Sequence, residues 1–263
     1  MTRSEYPAKR QKPAPGELVL DHVSHFVADL EATADLLERL GFIVTPVSAQ
    51  RVGGKPAGTS NRCVMLAEGY IEVLAPRPDR GLRLACFGTP DADAEHRRLT
   101  DHGFLPSPVI ALSRKTSQNR LARFKVVRPD PKTMPEGRIQ YVQHLTPQHL
   151  WQKRYVNDFR LEGIFVVAAN PVKAAARWAR FTGLIPQRTR EGIRLETARG
   201  SVLVAKRFPW RTPASPALAG YQLRCSHPQA FAARCLEAGI RVKRVGSRYA
   251  AVLPTALGGV WVF

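Results

Sequence analysis

The fold of this chain is decided by residues 20–42, which read LDHVSHFVADLEATADLLERLGF. The first part is an apolar run that contains histidine, and it predicts a buried strand. Asp29 then stands where a helix N-cap is expected, and Gly41 stands where a left-handed C-cap is expected. The stretch therefore predicts a strand, a turn and an amphipathic helix of about three turns.

The same pattern occurs three more times along the chain. The copies read LRLACFGTPDADAEHRRLTDHGFLP at 82–106, IFVVAANPVKAAARWARFTGLIP at 164–186 and YQLRCSHPQAFAARCLEAGIRV at 221–242. Their cap residues are Asp91, Asn170 and His227, and their glycines are Gly103, Gly183 and Gly239. From cap to glycine the four copies span 12, 12, 13 and 12 positions, which indicates an internal repeat.

Short alternating runs follow each helix and predict strands. They read FIVTPV, RCVMLAE and GYIEVLAP in the first copy and ARFKVV and GRIQYVQHL in the second. The later copies offer GIRLET and GSVLVAKR, then RYAAVLP and GGVWVF. The predicted class is α+β, with four βαβββ modules. Since one module leaves a sheet face uncovered, we expect the modules to pair into two tandem domains at 18–151 and 158–263, after a disordered basic tail at 1–17.

Composition narrows the functional classes. The chain has 263 residues and a formal net charge of +19, and residues 138–263 alone carry 20 basic and 5 acidic side chains. Such charge attracts polyanions, so nucleic-acid association through the basic C-terminal half is one alternative, but the arginines are dispersed and no aromatic platform or groove-entering motif accompanies them, which favours a small-molecule partner. No apolar run approaches the ~20 residues of a membrane span. The four unpaired-looking cysteines and the absence of a signal pattern favour a cytoplasmic location.

Three segments carry a family resemblance: LDHV at 20–23, GTSNRCVMLAEGYIEVLAP at 58–76 and VQHLTPQHLW at 142–151. With the paired modules, they resemble the vicinal oxygen chelate superfamily, and the first half looks like its glyoxalase-like subgroup. The second half resembles the fold by its module pattern only. The resemblance implies one divalent metal ion, Mn, Ni, Zn, Co or Fe, in the cleft of the first domain.

Carried over residue by residue, the resemblance places metal ligands at His22 and Glu72. An imidazole and a carboxylate suit a divalent ion and leave positions open for a substrate. His144 is the candidate third ligand or general base, although Gln140 aligns with Glu72 and alternation separates it from His144 by about 13 Å. A lone histidine on a strand is more often a structural residue than a metal ligand, and the matching Glu72 is what favours a ligand role for His22.

Four further residues are candidates for substrate binding. Asn61 and Arg62 return toward the cleft at the end of a Gly-rich loop, Gln140 lies on the strand of His144, and Trp151 can wall the pocket or belong to the core. His25 faces the other side of its strand and is expected to be structural. In the second domain His22 corresponds to Gly163 and Glu72 to Leu203, so no metal is expected there.

The sequence therefore predicts a metal-dependent, glyoxalase-like enzyme acting on a small molecule through two adjacent oxygens. Isomerase or lyase chemistry is favoured over dioxygenation, which needs a two-histidine, one-carboxylate set. The alternative is a binding protein of the same fold that sequesters a small molecule without turnover. The sequence does not choose between a monomer and a homodimer.

Overall fold

The computed structural model describes residues 11–116, 118–210 and 213–263. The first half comprises β1 (Val19–Phe26), α1 (Leu30–Arg39), β2 (Ser48–Val52), β3 (Lys55–Glu68), β4 (Tyr70–Ala75), β5 (Gly81–Gly88), α2 (Ala92–Asp101), β6 (Ile110–Lys115), β7 (Leu121–Val127), β8 (Arg138–His144) and the short α3 (Pro147–Leu150). The second half comprises β9 (Val156–Val167), α4 (Pro171–Thr182), β10 (Gln187–Arg188), β11 (Ile193–Glu196), β12 (Ser201–Ala205), β13 (Ala217–Cys225), α5 (Pro228–Glu237), β14 (Arg241–Val245), β15 (Arg248–Val252) and β16 (Val260–Val262).

The four predicted modules are present. Asp29, Asp91 and Asn170 each accept hydrogen bonds from backbone N–H groups of the helix they begin, whereas His227 occupies the same position without a side-chain cap bond. The four glycines after the helices all have positive φ, between 74° and 87°. Cap and glycine thus fix the length of each helix, because both ends are set by local chemistry.

The strands of the first two modules close into a ring. Its order is β3–β4–β1–β5–β8–β7–β6–β2, and β2 pairs back onto β3. Alternate side chains of every strand therefore point into one enclosed barrel. That interior holds the candidate site.

The second half repeats this order but stays open. Its strands run β10–β11–β12–β9–β13–β16–β15–β14, and β10 does not pair with β14 within the described ranges. An apolar cluster that includes Phe165 and Leu203 covers the inner face, and Phe208 and Trp210 of the following loop pack onto it. At the position corresponding to His22, a Cβ on Gly163 would lie 2.8 Å from Ser201 Oγ. The second half has an apolar centre where the first has polar groups.

Two segments differ from the sequence-based expectations. Residues 42–47 were expected to form a strand, but Ile43 is held by the Asn157 side chain, which bonds to both its N–H and its C=O, and β2 begins only at Ser48. In the predicted tail, residues 1–10 lie outside the described residues. Gln11 is buried and bonds to Ala67 O and Gly69 N at the β3–β4 turn, so this residue of the predicted tail is packed, whereas residues 14–17 are exposed.

His25 joins the two halves. It is fully buried, with Nδ1 at 2.7 Å from Leu257 O and Nε2 at 2.9 Å from the Tyr221 hydroxyl. Burial lowers the pKa of His25 to about 4, so the ring is neutral at physiological pH. Nδ1–H then donates to the carbonyl, and the Tyr221 O–H donates to Nε2.

None of the described helices is long and apolar enough to cross a membrane.

The variant Tyr221→Phe is expected to lose about 1–3 kcal/mol of unfolding free energy, because it leaves His25 Nε2 buried without a donor. Urea unfolding at pH 7 measures the loss. Tyr249→Phe is the matched control, since its ring packs on Phe263 and no hydroxyl bond to a described residue is lost. Equal stability of the two variants would show that the Tyr221–His25 bond contributes nothing.

Candidate functional site

A bulge in β1 creates the centre of the site. The register between β1 and β5 shifts between Leu20 and His22, so Asp21 reaches the same interior as its neighbour. The Asp21 carboxylate lies 2.6 Å from His22 Nδ1 and 2.9 Å from His144 Nε2. One carboxylate therefore holds both predicted histidines. Asp21 was missed in the sequence because strict alternation places it on the opposite face from His22.

Asp21, His22 and His144 are all buried, and burial strengthens the interactions between their charges. Burial alone would raise the pKa of Asp21, but the charges and hydrogen bonds of His144 and His22 hold it well below its ordinary value of 3.8. For His22, burial opposes protonation, while Cys86 and Asp21 raise its pKa well above 6.5. The His22 ring also stacks on Tyr70, with centroids 4.3 Å apart. His22 is thus held as an oriented imidazolium beside a carboxylate.

Glu72 forms the second charged centre. It receives hydrogen bonds from Ser24 Oγ at 2.5 Å, Asn61 Nδ2 at 2.5 Å and Gln50 Nε2 at 3.3 Å. Burial would raise its pKa, but His22, buried Arg114 and these hydrogen bonds lower it below the ordinary value. Glu72 is therefore ionised at neutral pH, and it lies on the strand next to His22, paired with Ser24 on the same inner face.

Gln140 and Trp151 complete the surroundings. Gln140 lies in one row with Cys86 and His22 across three neighbouring strands, and its amide is 3.7 Å from Cys86 Sγ. Trp151 is fully buried and meets the His144 ring edge-on at 5.0 Å between centroids. Trp151 therefore packs behind His144, which places it in the core as well as in the site wall.

The structure places Arg62 away from the substrate-binding position predicted for it. Its guanidinium lies outside the barrel, where it pairs with Glu31 at 2.7 Å and Glu38 at 3.2 Å on α1. Neighbouring residues of a strand point to opposite faces, so Asn61 inside the barrel requires Arg62 outside.

The predicted ligands His22, Glu72 and His144 do not form a metal-binding set in this arrangement. Asp21 holds one ring nitrogen of each histidine, which leaves His22 Nε2 and His144 Nδ1 as the atoms that would face an ion, and Glu72 accepts three hydrogen bonds. Among the described residues, no three histidine, cysteine, aspartate or glutamate side chains are placed to hold one ion. The ligand roles stay a prediction.

A cavity of about 710 Å³ opens beside the barrel. Its lining includes Arg128 and Arg138, together with Leu105 and Met134. Arg128 donates from Nε to Gln140 Oε1 at 3.1 Å, and Gln140 in turn contacts Cys86. The cavity is thus connected to the polar interior through two side-chain contacts.

A closed ring of paired βαβββ modules around a polar interior defines a vicinal oxygen chelate protein. The glyoxalase-like domain family matches residues 20–182, and the chain belongs to this family. No curated protein gives a significant match to the chain.

Three solved structures are similar to the whole chain. A hypothetical protein from Staphylococcus aureus is 14% identical, with a TM-score of 0.66 over 94% of this chain and 98% of that one. The Mn(II)-bound glyoxalase from Novosphingobium aromaticivorans is 10% identical, with a TM-score of 0.58 over 93% and 81%. A catechol 2,3-dioxygenase is 12% identical, with a TM-score of 0.56 over 95% and 88%. At these identities the likeness establishes the fold, and function is argued from the site.

Proposed function

We propose that the first domain is an enzyme that moves a proton at a carbon next to a carbonyl, in a small molecule with two adjacent oxygens. This is isomerase- or lyase-type chemistry. One observation carries the proposal: His22 and Glu72 face the same interior with pKa values shifted in opposite directions. Such divergence assigns an acid and a base, because each group keeps the protonation state its role needs.

In the proposed reaction Glu72 is the base. Its carboxylate takes the proton from the carbon that carries the hydroxyl, and His22 gives its proton to the neighbouring carbonyl oxygen, which yields an enediol. Glu72 then returns the proton to the second carbon, while the first hydroxyl reprotonates His22. The carbonyl has moved by one carbon, and both side chains have returned to their starting states.

The other polar groups orient this pair. Asp21 fixes the His22 ring and stabilises its charge, and His144 supports Asp21 from the other side. In this proposal His144, predicted from the sequence as third ligand or general base, acts as a positioning residue, because its Nε2 is held by Asp21 and its ring lies edge-on to Phe124 and Trp151. Asn61 Oδ1 is buried without a partner among the described residues, so it can accept a hydrogen bond from a substrate hydroxyl.

The test is solvent deuterium uptake. The protein is incubated in D₂O with a panel of 2-hydroxy ketones, 2-hydroxy aldehydes and thiol adducts of 2-oxo aldehydes, and the carbon-bound protons are followed by NMR. We expect enzyme-dependent exchange next to the carbonyl in at least one of them. Tight binding of a panel member without exchange would instead support the alternative function, sequestration of a small molecule.

The divalent ion that the resemblance implies is a separate prediction. The proposal does not depend on it, because Asp21 holds His22 and His144, and Ser24, Asn61 and Gln50 hold Glu72. Metal analysis of the dialysed protein and of a Glu72 variant decides whether the ion is bound.

A further inference from the structure

We propose that the cavity at Arg128 and Arg138 binds the anionic group of a small amphiphilic molecule, a phosphate or a carboxylate carried on an apolar body. The proposal rests on the proposed function in one respect, since this molecule is taken to be the substrate. The cavity, the charges around it and its exposed apolar edge support it independently.

The two arginines lack a counter-ion. Both are half-buried, and neither forms an ion pair with any carboxylate of the described ranges. Burial, with the nearby charges of Arg138 and Arg77, lowers the pKa of Arg128 to about 10, and burial and Arg77 lower that of Arg138. Two guanidinium groups that share a partly buried space without a carboxylate repel each other, and a bound oxyanion removes that cost.

The nearby acidic side chains are already engaged. Asp79 pairs with Arg77 at 3.0 Å, and Asp130 accepts from the Lys132 backbone N–H at the start of a short 3-10 turn. The next carboxylate is Glu72, which lies inside the barrel and is held by its own donors. The cavity wall therefore presents a net positive charge to whatever enters.

Leu105 indicates an apolar ligand body. It has φ 47°, a left-handed conformation that is strained for leucine, and its side chain is 66% exposed at the cavity edge. Met134 and several prolines continue the apolar surface within the cavity. A volume of about 710 Å³ is far larger than an inorganic phosphate needs and suits a small organic molecule.

The position of the arginines orients such a molecule. Arg138 lies on β8 two residues before Gln140, and Arg128 bonds directly to Gln140. Gln140 is in the same row as Cys86 and His22. An anion held by the arginines therefore lies beside Gln140, whose side chain separates the cavity from Cys86 and His22 in the same row.

The experiment measures binding by isothermal titration calorimetry with phenylphosphate, benzoate and inorganic phosphate. We expect phenylphosphate or benzoate to bind the parent with a dissociation constant below about 1 mM, and more tightly than inorganic phosphate. The two organic probes tell a phosphate site from a carboxylate site. In the double variant Arg128→Gln/Arg138→Gln the dissociation constant should rise at least about tenfold, since charge-assisted bonds are lost.

The matched control is Arg241→Gln/Lys243→Gln, which removes the same charge from the exposed strand β14 and should change binding less than about twofold. Leu105→Asn suits the left-handed backbone and should weaken phenylphosphate while sparing inorganic phosphate. Equal weakening in both double variants, or no binding of either organic probe at several millimolar, would overturn the proposal. Binding is also measured in Glu72→Gln: an inactive variant that still binds the probe separates failure of the anion site from failure of the proposed reaction.

Discussion

Replacing Asp21 by asparagine is expected to lower the free energy of unfolding by about 3–5 kcal/mol at pH 7. Asp21 is 1% exposed and contacts both His22 and His144, so the substitution leaves an imidazolium buried without its carboxylate. The shape of the side chain is kept, and the loss is therefore electrostatic. Urea unfolding of the parent and the variant measures it.

The pH dependence gives the same prediction a second readout. The pKa of His22 is raised in the folded state, so its contribution to stability is complete below pH 6.5 and is lost as the pH rises through the folded pKa. The pKa of Asp21 is depressed, so its contribution is present above pH 3.8 and is lost as the pH falls toward the folded value. The parent should therefore become less stable as the pH rises above 6.5, and this slope should be smaller in Asp21→Asn.

Asp29→Asn is the matched control for Asp21→Asn. It makes the same chemical change at an exposed N-cap, where asparagine caps as well as aspartate, and should cost less than about 0.5 kcal/mol. A histidine titration by NMR adds an independent check, because the pKa of His22 should fall in Asp21→Asn. If the two variants are equally stable and the His22 pKa is unchanged, the Asp21 cluster is not the electrostatic centre of the barrel.

The modules could be predicted from the sequence because their signals are local. Asp29 and Gly41 fix the two ends of α1 within one segment, and the same chemistry recurs in each copy. Such local signals could not predict that the first ring of strands closes and that the second stays open. Closure depends on whether β2 meets β6 across some 60 residues of chain, a contact that no local pattern encodes.

The site was predictable only where alternation holds. His22, Glu72 and Asn61 all lie inside the barrel, as their strand positions indicate. Arg62 was misplaced because two adjacent residues were given the same face. Asp21 was missed because a bulge adds a residue to the interior face, and a bulge leaves no clear mark in the sequence.

Ser24 and Arg114 show what a single strand cannot reveal. Ser24 shares the face of His22 by simple alternation and could have been found, whereas Arg114 enters the site from β6 of the other module. The cavity arginines depend likewise on the pairing of β7 with β8, which brings residue 128 opposite Gln140. Such groups become visible only when the register between strands is known.

Glu72→Gln is expected to reduce enzyme-dependent deuterium exchange by about 100- to 10,000-fold, because glutamine cannot accept the carbon-bound proton. The fold should survive. Glutamine has the same shape, and the Asn61 amide can turn its unpartnered Oδ1 toward the new NH₂ group. Glu72→Asp keeps the charge but withdraws it by one methylene, so its exchange rate should lie between those of the parent and Glu72→Gln. Glu68→Gln, at the end of β3 and paired with Arg160, is the matched control and should exchange within about twofold of the parent.

Metal analysis of the same proteins tells a base from a ligand. If Glu72 acts as the base in the arrangement described, the parent and Glu72→Gln should retain equal and substoichiometric metal after mild dialysis, while only the variant loses exchange. If instead the parent retains about one equivalent and the variant loses it, Glu72 is a metal ligand, as the family resemblance implies, and the acid–base assignment is wrong. Restoring exchange to the parent with Mn, Ni, Zn, Co or Fe would lead to the same conclusion, because side chains that complete the reaction alone have no need of the ion.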